Sequence, residues 1–406
     1  MAEIEGFKGW RYNTGNELIK NIAINPDKNY PSQIPQVLND KTDLSKSSFR
    51  AYWEVLKHEK FIIQDTEPGI YICKQTFGDF DNKQKVTRNS FICLVKLPSS
   101  NSNHIMMHEN VIDRYVQEKL DFLTLNKIEE SPLLGLYQDE AHIVETAIED
   151  ARKKLVYEFK DLEGTFTQLY NCTESSAIKI IKDFLVDQKI ILADGHHRYN
   201  AALTAKDVFK GSHYQNASEY AMIMLTNMEA PGLTIKPIHR GISNLEGFDQ
   251  EEVITKLQNF FNLRTFDHAE GLYHELKTKN KAFGLMFPKN LYLAELKDGL
   301  EKNIPWNFPE KIKSLSYTIL HYYILEKGFG IEGKEQKNSK KIKYITIFDE
   351  CRRFLETNDC QAVVLANPVT KNELKEVVES GYILPQKSTN FFPKALDRLV
   401  NRDWEN

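Results

Sequence analysis

The sequence predicts a mixed α/β (α+β) fold arranged as two domains. Three observations predict it. The chain has 406 residues, enough for two or three domains of about 150 residues each. Short β-branched runs alternate with stretches whose apolar residues recur at helical spacing. One junction turns a strand directly into a helix: Lys189-Ile190-Ile191-Leu192-Ala193-Asp194-Gly195-His196-His197-Arg198-Tyr199-Asn200-Ala201-Ala202. Hydrophobic residues make up 41% and charged residues 27%, the balance of an ordinary globular protein with a sizeable core.

In order, residues 17–22 predict a helix and 25–35 a Pro/Asn/Asp-rich loop. Residues 61–63, 69–73 and 89–95 predict strands, the last two joined by a hairpin-like connection over 78–83. Residues 98–103 predict a Ser/Asn loop and 111–125 a helix with Ile112, Tyr115, Val116, Leu120 and Leu123 on one side. Residues 133–137 return to strand and 174–186 to helix. The strand-turn-helix follows, its helix burying Ala201, Ala202, Ala205, Val208 and Phe209. Runs at 220–227 and 233–239 predict strands. From about residue 241 the pattern changes, which places the domains at 1–242 and 243–406. The second contains helices at 249–261, 316–326, 349–355 and 371–380, strands at 282–287, 291–296, 344–348 and 362–366, and a Lys/Gly-rich loop over 328–343.

The net charge of −4 argues against a nucleic-acid-binding polycation. Five cysteines, odd in number and without a CxxC pair, argue for reduced thiols and against zinc. Met1 to Arg11 lacks the apolar segment of a secretory signal, and no window approaches the roughly 18 apolar residues of a membrane span. The expectation is a cytoplasmic protein; the oligomeric state is left open.

The Asp194 turn carries the chemistry. A helix start is partially positive and favours acidic residues, yet this one holds His196, His197 and Arg198. Backbone N–H groups at a helix start, with Gly195, Arg198 and a histidine, suit an anion such as phosphate. The competing reading makes Asp194 a cap, Gly195 a turn residue and both histidines surface groups. His108-Glu109-Asn110-Val111, with Arg114 one turn on, is the second candidate, Glu109 serving as general base or simply favouring a helix start. His239-Arg240 and Asn227-Met228 follow apolar runs, where α/β sheets often bind ligands; singly each reads as structural. Pro385-Gln386-Lys387-Ser388-Thr389, before Phe391-Phe392-Pro393-Lys394, offers a lysine and two hydroxyls to a phosphate, or forms a strap. Gly328-Phe329-Gly330-Ile331-Glu332-Gly333 matches G-x-G-x-x-G but follows a helix instead of a strand, so it is set aside.

These pieces, with Phe7-Lys8-Gly9, Lys74-Gln75-Thr76-Phe77, Gly135-Leu136-Tyr137, Met228-Glu229-Ala230-Pro231-Gly232-Leu233, Pro237-Ile238-His239-Arg240 and Leu365-Ala366-Asn367-Pro368, resemble the domain of unknown function family 1015 through nearly the whole chain. The chain departs from it near the start, where Asn29-Tyr30-Pro31 replaces a Pro-Tyr-Asp-Val stretch. Leu192 to Ala202 also resembles the phosphate box of the ParB and sulfiredoxin superfamily, which implies a ParB/sulfiredoxin-like first domain. Sulfiredoxins place a cysteine where this chain has His196, which removes their chemistry. Free-serine kinases of that superfamily carry a similar Asp-Gly-His-x-Arg turn.

That resemblance implies a nucleotide-dependent kinase (a transferase of serine metabolism) acting on a small hydroxylated metabolite, free L-serine first, with ATP or ADP and Mg2+. Glu109, Asp194 and His196 would be catalytic, and Asp194 and Glu109 would place the metal. Gly195, His197, Arg198, His108, Arg114, His239, Arg240, Lys387, Ser388 and Thr389 would bind the nucleotide, the Lys387 loop coming from the second domain. The alternatives are a ParB-like nucleotide-binding regulator of DNA partition, and a phosphohydrolase.

Overall fold

The computed structural model describes residues 1–14, 49–78, 85–99, 104–161, 164–336, 339–384 and 387–405. The helix expected at 17–22, the loop at 25–35, Asn29-Tyr30-Pro31, Pro385-Gln386 and most of the 78–83 connection lie outside them. The fold is mixed α/β, with a large mixed sheet and a separate antiparallel sheet. The chain forms two compact units. The first comprises residues 1–107, 111–234 and 393–406, the second residues 108–110 and 235–392. The main crossing thus follows Thr234 instead of residue 242, and the last fourteen residues return to the first unit.

The first unit is organised by a nine-stranded sheet. Its strands lie in the order Ile105–Met106, Ile190–Asp194, Leu133–Tyr137, Tyr220–Asn227, Lys85–Lys96, Ile70–Gly78, Phe166–Cys172 and Lys154–Lys160, with Ile4–Glu5 pairing beside Lys85–Lys96. The Ile190–Asp194/Ile105–Met106 and Tyr220–Asn227/Leu133–Tyr137 pairs are parallel. One sheet face carries Ile70, Ile72, Phe91, Cys93, Val95, Leu133, Leu192, Ile223 and Leu225, packed against helices Asp113–Asn126, Ile143–Asp150, Ser175–Leu185 and His196–Val208. Alternation along each strand sends Tyr71, Cys73, Gln75, Ser90, Met224 and Thr226 to the other face, and these are buried too. Of the expected stripe on His196–Val208, Ala201, Ala202 and Ala205 are buried, but Val208 is exposed. Among the described residues, no helix is long and apolar enough to cross a membrane, and the five cysteines are unpaired and buried.

The second unit holds a six-stranded antiparallel sheet, ordered Phe261–Phe266, Leu291–Leu296, Ala282–Met286, Ala362–Leu365, His239–Ile242 and Ile342–Ile345. Both faces are apolar. One packs on Val253, Leu257 and the Ile319–Leu325 stretch, the other on Leu272, Leu276, Cys351 and Leu355. The helix expected at 316–326 opens as α-helix over Ser316–Ile319 and widens into π-helical turns over Leu320–Gly328. Leu320 to Leu325 are buried all round, which an amphipathic 3.6-residue pattern does not describe.

Candidate functional site

The Asp194 turn forms as its sequence implies. The apolar strand Ile190–Asp194 ends where Gly195 takes φ +89°, and the helix His196–Val208 starts with no side-chain cap. Only glycine adopts that φ without strain; a Cβ there would also lie 3.0 Å from Leu133 Cδ2 and 3.1 Å from Arg198 Nη2. The Gly195 N–H donates to Asp194 Oδ1 at 2.7 Å, and Lys394 Nζ donates to Asp194 Oδ2 at 3.0 Å. Burial alone would raise the Asp194 pKa, but Lys394 and Arg198 outweigh it and hold the carboxyl down at about 2. The turn therefore presents an ionised carboxylate, two cations and a positive helix end.

The three residues that open the helix are used differently. His196 is buried, and its carbonyl accepts from Asn200 Nδ2 at 2.8 Å. His197 Nε2 accepts the Ile112 N–H at 3.0 Å, capping the helix Asp113–Asn126, and its ring meets Tyr115 edge-on at 5.6 Å. An imidazole nitrogen that accepts carries no proton, so the ring is neutral in this arrangement. Arg198 Nη1 donates to Pro132 O at 2.8 Å, leaving the rest of a planar, five-donor group beside the turn. Arg114 stands 82% exposed, paired with Glu118 one turn along its helix. Asn227 ties the end of its strand to the loop after the neighbouring strand Leu133–Tyr137, its Oδ1 accepting from the Asp139 N–H at 3.1 Å and its Nδ2 donating to Asp139 O at 2.8 Å.

The second unit brings together most of the other expected residues. Lys387, at φ +60°, bends the 387–389 backbone into a concave arc of N–H groups. Glu109 fills it. The N–H groups of Lys387, Ser388 and Thr389 reach its carboxylate at 3.3, 3.0 and 2.9 Å, and Thr389 Oγ1 does so at 3.0 Å. His108 is buried and shares a hydrogen bond between Nε2 and Thr389 Oγ1 at 2.8 Å. The sequence has this loop offering Lys387 and two hydroxyls to a phosphate; in the structure the backbone N–H groups of Lys387, Ser388 and Thr389 hold the chain's own Glu109 instead.

Arg240 is completely buried. It donates to Ile238 O, to Tyr317 Oη and, at 3.1 Å, to Lys387 O, and it lies over the Tyr344 ring at 4.8 Å. His239 is equally buried, its Nδ1 accepting the Ala366 N–H at 3.2 Å. These partners are internal, so the strand-end position of His239-Arg240 supports the unit's core.

Burial, reinforced by Arg240 and Lys277, pushes the His239 pKa down to about 3; burial, with Arg240, does the same to His321. Both are neutral in the fold and take up a proton near pH 6.5 once unfolded. Their contribution to stability is complete above pH 6.5 and declines as the pH falls toward 3. Unfolding free energy of the second unit should therefore drop by about 1.4 kcal/mol per pH unit for each histidine across that window. Urea midpoints followed by hydrogen exchange in residues 239–366 check this; a flat profile between pH 6.5 and 4 contradicts it.

Two residues at the first unit's turn escape sequence reasoning. Lys394, quoted only as the end of an aromatic stretch, pairs with Asp194. Arg88 lies unremarked in a strand, and its carriage by Lys85–Lys96 next to Gln75 depends on register. Neither expected metal ligand is open: Asp194 holds Lys394 and the Gly195 N–H, and Glu109 fills the 387–389 arc. Among the described residues no three His, Cys, Asp or Glu side chains converge as a metal site.

Residues 30–318 match the family described as "Protein of unknown function (DUF1015)". No curated protein sequence matches the chain. Among solved structures, the chain is similar to a conserved hypothetical protein from Pyrococcus furiosus at 14% identity, covering 77% of this chain and 96% of that one, TM-score 0.40. It is also similar to a free serine kinase in complex with AMP at 13% identity, covering 76% and 93%, TM-score 0.39. A mutant of a free serine kinase in complex with ADP aligns at 14% identity, covering 76% and 94%, TM-score 0.38.

Proposed function

Since the chain belongs to the DUF1015 family, whose description names no activity, we propose a function from the Asp194 turn: a nucleotide-dependent kinase that phosphorylates the hydroxyl of a small metabolite, free L-serine first. The observation that carries this reading is the combination at one uncapped helix start of an ionised Asp194, Lys394 on its carboxylate and Arg198 beside it. Phosphoryl transfer asks a protein mainly to position its reactants and stabilise charge. The Gly195 turn and the start of the helix hold phosphate oxygens, since positive φ and absent Cβ let backbone approach them. Arg198 adds a donor fork matched to phosphate geometry. Lys394 is a mobile point charge that exchanges Asp194 for a phosphate when nucleotide arrives.

Asp194 is then released to orient the substrate hydroxyl and accept its proton as the new P–O bond forms and the bond from that phosphorus to the nucleotide's bridging oxygen breaks, ADP leaving when ATP is the donor and AMP when ADP is. The carboxylate is ionised before nucleotide arrives, and release from Lys394 leaves burial to raise its pKa, which makes it a better proton acceptor. Glu109 is the competing base, and Glu109→Gln tests it against Asp194→Asn in the same assay. His196, His197 and His108 hold the elements that carry these groups. Mg2+ accompanies the nucleotide phosphates in this reading, with at most one carboxylate from the chain.

The test is direct. Purified protein is incubated with L-serine and ATP or ADP, with and without Mg2+, and phosphoserine is read by mass spectrometry. Formation with either nucleotide supports the proposal. No phosphorylated product from L-serine, homoserine or L-threonine with either nucleotide overturns it.

A further inference from the structure

The face of the large sheet turned away from its four helices carries a buried polar row. Thr167, Gln75 and Arg88 sit directly opposite one another on three successive strands, and all three are completely or almost completely buried. Arg88 Nη2 donates to Gln75 Oε1 at 2.5 Å and lies 3.5 Å from Lys394 O. That leaves Arg88 Nε and Nη1, Gln75 Nε2 and Thr167 Oγ1 with no hydrogen-bond partner among the described residues. Every nitrogen in that set is a donor and the hydroxyl can donate as well. Burial lowers the Arg88 pKa only to about 10, so the guanidinium is charged at neutral pH, and among the described residues it forms no ion pair with a carboxylate.

A buried charge without a counter-charge is strongly destabilising, and clustered unsatisfied donors in one place call for an acceptor. Cross-strand neighbours hold their side chains about 5 Å apart, so a two-oxygen anion bound beside the row would touch Arg88 and its neighbours together. Connecting segments cover it. Gly232 lies so close that a Cβ would fall 2.5 Å from Thr87 O and 2.6 Å from Arg88 Cα, and the Lys394 carbonyl meets the same Arg88 Nη2 that donates to Gln75. Lys394 also ties the row to the phosphate turn: its carbonyl faces Arg88 while its ammonium holds Asp194. One lysine side chain separates the two places.

We propose that Thr167, Gln75 and Arg88 form a subsite for the carboxylate of the acceptor substrate, which makes that substrate a small hydroxy- or amino-acid. The identity of the ligand rests on the kinase reading above; the subsite itself does not. The substrate enters beneath the 228–233 and 393–394 segments. Its carboxylate neutralises Arg88, and its hydroxyl faces the Asp194 turn.

The experiment uses the full chain, its Arg88→Met and Thr167→Val variants, and sodium formate as the minimal carboxylate, with sodium chloride at equal ionic strength as control. Without ligand, Arg88→Met melts at or above the wild-type temperature, because an unpaired buried charge is replaced by an apolar side chain of similar length. Formate raises the wild-type midpoint, raises that of Thr167→Val less, and leaves Arg88→Met unchanged. If Arg88→Met unfolds at lower temperature without ligand, or if formate shifts all three proteins equally, Arg88 is a structural residue and the subsite falls. If formate acts through Arg88 but no phosphoserine forms, the subsite stands and the kinase reading falls. If phosphoserine forms and Arg88→Met leaves the KM for L-serine unchanged, the kinase reading stands and the subsite falls.

Discussion

Asp194→Asn is expected to lower phosphoserine formation by about 10²- to 10⁴-fold, the usual range for removing a positioned base, with nucleotide affinity maintained. The separation follows from the turn's electrostatics. The asparagine keeps the size of the side chain and its hydrogen bond from the Gly195 N–H, so the backbone at φ +89° is preserved. It removes the negative charge that holds Lys394, freeing that ammonium for phosphate. AMP or ADP binding should be unchanged or slightly tighter while turnover collapses. A single-turnover rate within about threefold of wild type would remove Asp194 from the chemistry. Wild-type protein should also resist acid through this group: its stabilising contribution is full above pH 3.8 and is lost only as the pH falls toward 2.

Glu109→Ala should act on order within the second unit. One carboxylate accepts three backbone N–H groups and one hydroxyl. Its removal leaves a ring of partly buried donors facing nothing. Charge-assisted hydrogen bonds contribute about 1.5–3 kcal/mol each, and orphaned donors cost further. A conservative net loss of about 3 kcal/mol corresponds to roughly 100-fold faster amide exchange at Ser388 and Thr389. Glu109→Gln, which keeps one acceptor oxygen, should fall between. Added inorganic phosphate should slow exchange in Glu109→Ala, because the vacated arc is an anion receptor. Exchange at wild-type rates in the alanine variant would show that Lys387 holds its left-handed turn unaided.

The strand, turn and helix around Asp194 were legible because local forces make them. A β-branched run, a glycine at the one position needing positive φ, and an alanine series each name their conformation without help from distant residues. The Glu109 arc was half legible: both segments stood out in the sequence, but their pairing joins residues about 280 positions apart. Arg88 was illegible for another reason. Period-two alternation says that residues 88 and 90 share a face; it does not say that Gln75 and Thr167 arrive at the same level, which register alone decides. Lys154–Lys160 and Phe166–Cys172 escaped notice because a half-exposed edge hairpin alternates polar residues through its length. Leu320–Gly328 defeated helical periodicity because it is buried on all sides.

Residues 393–406 lie in the same compact unit as residues 1–107 and 111–234, and about 160 residues of another unit intervene. Arg402–Asp403 pairs with Ile128–Glu129, Asp403 receives Arg50 and Trp53, and Lys394 reaches Asp194. On a ribosome these late residues emerge only after the whole of 235–392. The second unit can fold during synthesis, whereas the first must wait with its great sheet assembled but unsealed. Its Asp194 turn acquires its lysine only at that last step. Vectorial synthesis thus makes completion of the turn depend on synthesis through residue 394: a product stalled before it would carry Asp194 without Lys394.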